Sequence, residues 1–388
     1  METQGAIITG GDFQGLGVVR SLGRKRIPVY IIDHELSIAR FSRYHKKFSF
    51  APHPKREEEY LSFLIDYAKR QNLDKWVLFP NNDLTVRLLS KHKKRLEEYY
   101  LIPTPDWEVI KYVYNKRNTC QLAESLGIPT PKTYFPKEVY DLEKLDLSFP
   151  VIIKPATRDD FFEKFRKKAF LIQNRQHLIE TYKKVCDVID SSDVLVQEFI
   201  PAGPKHLYSF CPFFKDGRIV ARIIARRSRQ HPMDFGQATT FAEAVHMPEL
   251  EVIGVKLLNK INYYGLAEVE FMYDTRDMQF KFLEINARVW GWHTLAIGAG
   301  IDLPYLLFRD MIGQPIQIPS SRKDAKWIRL ITDIPIAIIE MMGGRMSLKD
   351  YELSLKGKKE FAVFSLDDPL PFFAEIFMSP YLWIKRGF

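Results

Sequence analysis

Residues Gly265–His293, GLAEVEFMYDTRDMQFKFLEINARVWGWH, decide how the rest of the chain is read. Leu266–Tyr273 alternates with period 2, Asp274–Met278 carries turn residues, and Phe280–Ile285 returns to apolar character. The spacing predicts a hairpin. Side chains two apart on a strand share a face, so Glu268 and Glu270 lie together on the first strand and Glu284 and Asn286 on the second, followed by Arg288. Pairing of the strands can bring Glu270, Glu284 and Asn286 to one point. Buried carboxylates need a cation or a proton, and a carboxylate–carboxylate–amide set suits a hard ion such as Mg²⁺ shared with phosphate oxygens. A solvated hairpin with its glutamates in water is the other reading of this pattern. Glu284, set inside the apolar run FKFLEI, weighs against it.

Before this hairpin, Glu251–Tyr263 reads as an amphipathic helix, and Phe213–Ala225 as an earlier hairpin turning at Asp216-Gly217. Strict alternation puts Arg218, Arg222 and Arg226 on one face of the returning strand and Arg227 and Arg229 on the other, before Gln230-His231-Pro232 breaks it. Arginines so crowded make either a basic surface or a site for phosphate or carboxylate, which the guanidinium fork can grip with two bonds. Val194–Gly203 is an apolar strand interrupted by Gln197 and Glu198 and closed by a Pro/Gly turn. Phe149–Pro155 is a buried strand with Lys154 at its end, awkward unless its ammonium meets an anion or snorkels to solvent. In YNKRNTCQLAESLGIPTPKTY, Asn115 caps a helix that runs to Leu126 and is closed by Gly127.

The first hundred residues read as alternating strands and helices. Ala6–Thr9, a Gly10-Gly11-Asp12 turn, a helix over Gln14–Leu22 and Val29–Ile32 ending at Asp33 form a βαβ unit. A helix over Glu58–Arg70, a strand at Trp76–Phe79 and a helix over Leu84–Tyr99 follow. The pattern predicts a Rossmann-like layer, but GGDFQGLG does not keep the G-x-G-x-x-G spacing of a dinucleotide site. Pro103–Trp107 reads as a linker.

Taken in order, these pieces resemble the ATP-grasp superfamily, and the tail from Trp290-Gly-Trp-His through AIGAGIDLPYLLFRDMIGQP resembles its predicted carboxylate–amine ligase (carboligase) branch. The resemblance implies an α/β and α+β chain. Residues 1–105 would form a Rossmann-like pre-ATP-grasp domain, 106–318 an ATP-grasp domain with a mobile small subdomain at about 130–198, and 319–388 a C-terminal extension. It implies ATP with Mg²⁺ (or Mn²⁺) as cofactors. The metal would be held by Glu270, Glu284 and Asn286 and the nucleotide by Lys116, Lys154, Gln197, Glu198, Ile200 and His206. Arg288 would meet the transferring phosphoryl group and Arg229 the substrate or acyl phosphate. In this branch a K/R-x-R-Q-x-P run precedes a small-residue loop facing the acceptor, here Gly236–Thr240. A Ser-Arg-Tyr run (Ser42–Tyr44) and a Ser365–Pro371 closing segment also match the branch. Where the superfamily has a glycine-rich loop over the phosphates, this chain has the glycine-free ATRDDFFEKFRKKAF. The implied activity joins a carboxylate to an amine through an acyl phosphate, releasing ADP and phosphate. A phosphotransferase on the same fold, or a nucleotide-binding module without turnover, are the alternatives, distinguished by whether ADP forms only when an amine is present.

Composition agrees with a globular chain of several domains: 388 residues, 46% hydrophobic and 27% charged. A formal charge of +9 suits anionic small-molecule substrates. No zinc-finger spacing or RNP-type aromatic run points to nucleic acid. Cys120, Cys186 and Cys211 keep no metal spacing and fit a reducing, cytoplasmic setting. No signal-peptide pattern or uninterrupted membrane-spanning apolar stretch is present. The apolar tail FFAEIFMSPYLWIKRGF, with its basic end, fits docking on its own domain or peripheral contact with a membrane.

Overall fold

The computed structural model describes residues 4–157, 159–233, 238–318 and 324–386, with side chains for 4–157, 161–233, 238–318 and 324–381. The described residues form three sheets. The first is wholly parallel, in the order Lys47–Phe50, Val29–Asp33, Ala6–Thr9, Trp76–Pro80, Tyr100–Leu101. Its central strands AIIT and WVLFP are buried throughout because helices cover both faces. The second has eight strands, ordered from Gln279–Asn286 through Glu268–Asp274, Leu207–Lys215, Arg218–His231 and Ala238–Ala244 to Lys326–Ile328 and Lys359–Phe361, with Gly265–Leu266 paired beside Leu207–Lys215. The third has four antiparallel strands, Thr133–Tyr134, Val194–Glu198, Val151–Pro155 and Phe170–Ile172.

The turn after the first strand is filled by the protein's own carboxylates. The Gly11 amide donates to Asp33 Oδ2 (2.7 Å), and Asp12 caps the helix Phe13–Gly23 by accepting from the Gln14 and Gly15 amides. Asn81 Nδ2 donates to the same Asp12 oxygen (2.8 Å). A negative cap where a dinucleotide fold receives its pyrophosphate accounts for the broken glycine spacing. The helix predicted over Leu84–Tyr99 is two helices, Asp83–Lys91 and Lys93–Leu96, parted at His92, whose ring is drawn to Glu57 (2.8 Å). Trp107–Tyr114, expected to begin as linker, is helical.

The first sheet is locked to the second and to the end of the chain. Phe13, Leu16 and Val19 share a core with Trp290, Trp292 and Trp327. Gly17 is required there: a Cβ would lie 2.6 Å from the His293 ring. Arg20 donates to Asp368 Oδ2 (2.9 Å) and to two backbone carbonyls, at Val363 and Asp368, while Ser42 Oγ (2.7 Å) and the Arg43 amide (2.8 Å) also donate to the Asp368 carboxylate. Tyr44 and Arg24 hold the neighbouring Asp367. The Ser42–Tyr44 run and the closing segment are thus the two halves of one joint. The helix Leu370–Arg386 buries Ala374 and Glu375 and leaves Phe373, Ile376 and Phe377 exposed. The tail's side chains beyond Tyr381 lie outside the described residues. Among the described residues no helix is long and apolar enough to cross a membrane.

Asp368→Ala strands the buried Arg20 charge and is expected to cost about 3–5 kcal/mol. Removing Asp367, whose pair with Arg24 is partly exposed, is expected to cost under about 1 kcal/mol. Urea denaturation of both variants tests the contrast; equal losses would refute it.

Candidate active site

The predicted hairpin forms, with Glu268 opposite Asn286 and Glu270 opposite Glu284. Paired residues share a face, so three carboxylates and one amide lie on one side of the hairpin. Asn286 Nδ2 donates to Glu268 Oε2 (3.1 Å) and Glu270 Oε1 (2.8 Å), and Ser209 Oγ donates to Glu268 Oε1 (3.1 Å). Lys116 Nζ lies 3.6 Å from Glu284 Oε2. Arg227 reaches Glu270 with both terminal nitrogens. Burial, reinforced by the Glu270 charge, pushes the Glu268 carboxyl up to about 8. The cluster offers hard oxygen ligands on one side of the hairpin, so its chemistry fits a divalent cation of the Mg²⁺ type.

This cluster forms one wall of a cavity of about 750 Å³, bordered by strands of the second and third sheets and by Asp12–Gln14, Lys55 and Leu84 of the first unit. Lys154 enters from the end of Val151–Pro155, and Lys116 from the first turn of Lys116–Ser125, where Asn115 caps the helix by accepting from the Arg117 amide. The Lys116 amide donates to Ala156 O (3.1 Å), which ties the two lysine-bearing elements together. Gln197, Glu198 and Ile200 border the far end. Gln197 Nε2 donates to Thr133 Oγ1 (2.7 Å), and the Glu198 carboxylate accepts from Arg276 (2.6 Å). Arg288 borders the cavity with its Nε on Asp83 (2.7 Å).

Two expected residues are elsewhere. His206 does not border the cavity; its ring stacks on Tyr273 with centroids 6.1 Å apart, leaving Gly203 and Leu207 at the edge. Arg229, expected at the substrate, is buried away from it. Its Nε and Nη2 donate to Asp333 (2.7 and 2.8 Å), Nη1 donates to Ser354, and the guanidinium lies 4.0 Å from the Phe241 ring centroid. The cause is a break in alternation. The ladder shifts register between Arg227 and Arg229 and again before Gln230, so Arg227 and Gln230 reach the cavity and Arg229 does not. Gly236 and Gln237 of the small-residue loop lie outside the described residues; Ala238 and Thr239 border the cavity.

Sequence reasoning also passed over Glu268 and Arg227. Both were visible as same-face neighbours, Glu268 of Glu270 and Arg227, by alternation, of Arg229; the register shift after Arg227 takes Arg229 off that face. The glycine-free stretch folds as the helix Asp159–Phe165. Phe161 packs against Phe165 and Phe170, while Phe162, Glu163, Lys167 and Lys168 face the cavity. Lys55 of the first unit holds Glu163 at 2.7 Å.

Residues 118–318 match the family described as the carbamoyl-phosphate synthase L chain, ATP-binding domain. The chain belongs to this ATP-grasp family. It is 26% identical over 302 residues to a D-aspartate ligase of Enterococcus faecium, covering 73% of this chain and 70% of that protein. Among solved structures, an L-amino acid ligase from Bacillus licheniformis superposes with a TM-score of 0.63 at 14% identity, covering 79% of this chain and 74% of the other. The biotin carboxylase domain of the Hydrogenobacter thermophilus 2-oxoglutarate carboxylase, in complex with MgADP, ADP and bicarbonate, superposes with a TM-score of 0.66 at 16% identity, covering 84% and 74%. The ATP-grasp fold and ATP binding follow from these likenesses.

Two outcomes are expected. A carboxyl whose pKa is higher folded than unfolded favours the fold below its unfolded pKa and loses that advantage as pH rises through the folded one, here from about 4.5 to about 8. Glu268→Gln removes this loss, so in EDTA its Tm should gain on the wild type between pH 5 and pH 8; a pH-independent difference would contradict the assignment. Arg229→Ala strands buried Asp333 and should lower Tm markedly, while the KM for ATP in the surviving folded protein stays near wild type.

Proposed function

We propose that this protein is an ATP-dependent carboxylate–amine ligase working through an acyl phosphate. The observation that carries the reading is the meeting, in one cavity, of the acidic hairpin and the Arg288 that follows it with Lys116 and Lys154 from two separate elements. The ligase relatives support the same class. Lys116 and Lys154 hold the nucleotide phosphates, and Gln197, Glu198 and Ile200 border the base. Glu270, Glu284 and Asn286, with Glu268, hold Mg²⁺, and the same oxygen donors accept Mn²⁺. When bound, the ion neutralises charge on the phosphate oxygens.

A carboxylate oxygen of the acid attacks the γ-phosphorus as the bond to the bridging oxygen breaks and ADP departs. Arg288 stabilises the charge that gathers on the transferring group, at the expense of its contact with Asp83. The amine nitrogen then attacks the acyl carbon, the carbon–oxygen bond to phosphate breaks, and the amine proton passes to water or the leaving phosphate. The Phe162-bearing helix covers the cavity in place of a glycine-rich loop and keeps water from the acyl phosphate. The substrates are a small carboxylic acid and an amine, not nucleic acid. Residues 1–105, 106–318 and 319–388 serve as acceptor-side, nucleotide and closing units. A cytoplasmic setting is part of the proposal, supported by the free Cys120, Cys186 and Cys211.

ADP release measured across pools of amino acids and carboxylates tests the activity. Turnover needing both an acid and an amine is expected; ADP formed without amine, together with a stable phosphorylated product, would replace ligation by phosphotransfer. Glu284→Gln is expected to abolish turnover with the Tm little changed. Arg288→Ala is expected to lower kcat by roughly a hundredfold or more, the scale of losing one charge stabiliser. Wild-type turnover by Glu284→Gln at saturating Mg²⁺ would remove the metal assignment.

A further inference from the structure

Arg227 sits where the metal's charge would act. It borders the cavity, its side chain is 13% exposed, and both of its terminal nitrogens face the Glu270 carboxylate. Glu270 Oε1 is already shared with Asn286 Nδ2 at 2.8 Å. Arg227 Nε is buried and, among the described residues, has no hydrogen-bond partner. The guanidinium is therefore only partly satisfied where it stands, held chiefly by one carboxylate. A divalent ion bound to Glu270 would lie within a few ångströms of a second cation in a poorly hydrated site, where like charges repel strongly. A carboxylate oxygen has few lone-pair directions, and those of Glu270 are largely taken.

We propose that Arg227 and the divalent ion compete for Glu270, so that metal loading displaces the arginine from the hairpin and turns it toward the anionic contents of the cavity. The exchange keeps the cluster neutralised in both conditions. It also links metal arrival to the supply of a mobile guanidinium, a good partner for a carboxylate or phosphate group. The inference rests on the metal assignment made under Proposed function and extends it to a residue outside the ligand set.

The test uses Mn²⁺ alone, counted by EPR in titrations of the nucleotide-free full chain, with Tm measured in EDTA and in Mn²⁺. Arg227→Met is expected to bind Mn²⁺ at least tenfold more tightly than the wild type. Its Tm should fall in EDTA and recover with Mn²⁺, because Glu268 and Glu270 regain a counter-charge. Unchanged or weaker Mn²⁺ affinity in Arg227→Met overturns the exchange. If that variant does not fold, Arg227→Lys, which keeps the charge but loses the fork, should bind Mn²⁺ about threefold more tightly, and unchanged or weaker affinity there overturns it equally. Glu270→Gln separates the two levels. If it leaves wild-type Mn²⁺ binding intact, the metal is not at Glu270 and both readings fall; if it weakens binding while Arg227→Met does not tighten it, only the exchange falls.

Discussion

Carboxylate crowding on one face of a two-stranded hairpin is the constraint that shapes this molecule. Glu268, Glu270 and Glu284 are held together by strand register, which their mutual repulsion opposes. The surrounding elements answer that charge. Arg227 comes from the neighbouring hairpin, Lys116 from a helix start, and Asn286 supplies two donors from within the pair. Each answer comes from a different part of the chain. The cavity is therefore where these elements must meet as well as where a ligand can bind.

The second organising contact is at the opposite end of the first sheet. Asp368 receives Arg20, Ser42 and the Arg43 amide in a buried socket, and Arg329 is held by Glu375 of the same C-terminal region while lying over Phe13. Strands Lys326–Ile328 and Lys359–Phe361 extend the sheet that carries the acidic hairpin. The closing segment thus braces both the first unit and the central sheet, and a disturbance there reaches the cavity through Phe13 and Arg329, which both border it.

What could be read from sequence was what depends on short-range periodicity. The hairpin with its same-face glutamates, the Asn115 cap, the buried strand ending in Lys154 and the parallel opening layer all follow from spacing within a few residues. The errors lie where a local rule was overridden by a distant partner. Alternation placed Arg227 and Arg229 on one face, but the register shifts send Arg229 to Asp333, a partner on a helix more than a hundred residues later. His206 stacks on Tyr273, an association set by tertiary packing. The helix at Asp159–Phe165 has little local signal, since Asp and Phe are weak helix formers and make up most of it. The Arg288–Asp83 contact has no local trace at all, since its partners are 205 residues apart.

The socket for Asp368 has a consequence for synthesis. Arg20, Ser42 and Arg43 leave the ribosome before the carboxylate that satisfies them, which follows 348 residues behind Arg20. Domains tend to fold in the order they emerge, yet here the first sheet must wait with a cation and two polar groups in water until the Asp368 segment has been made. This layer, made long before its partner, is sealed only when that partner arrives.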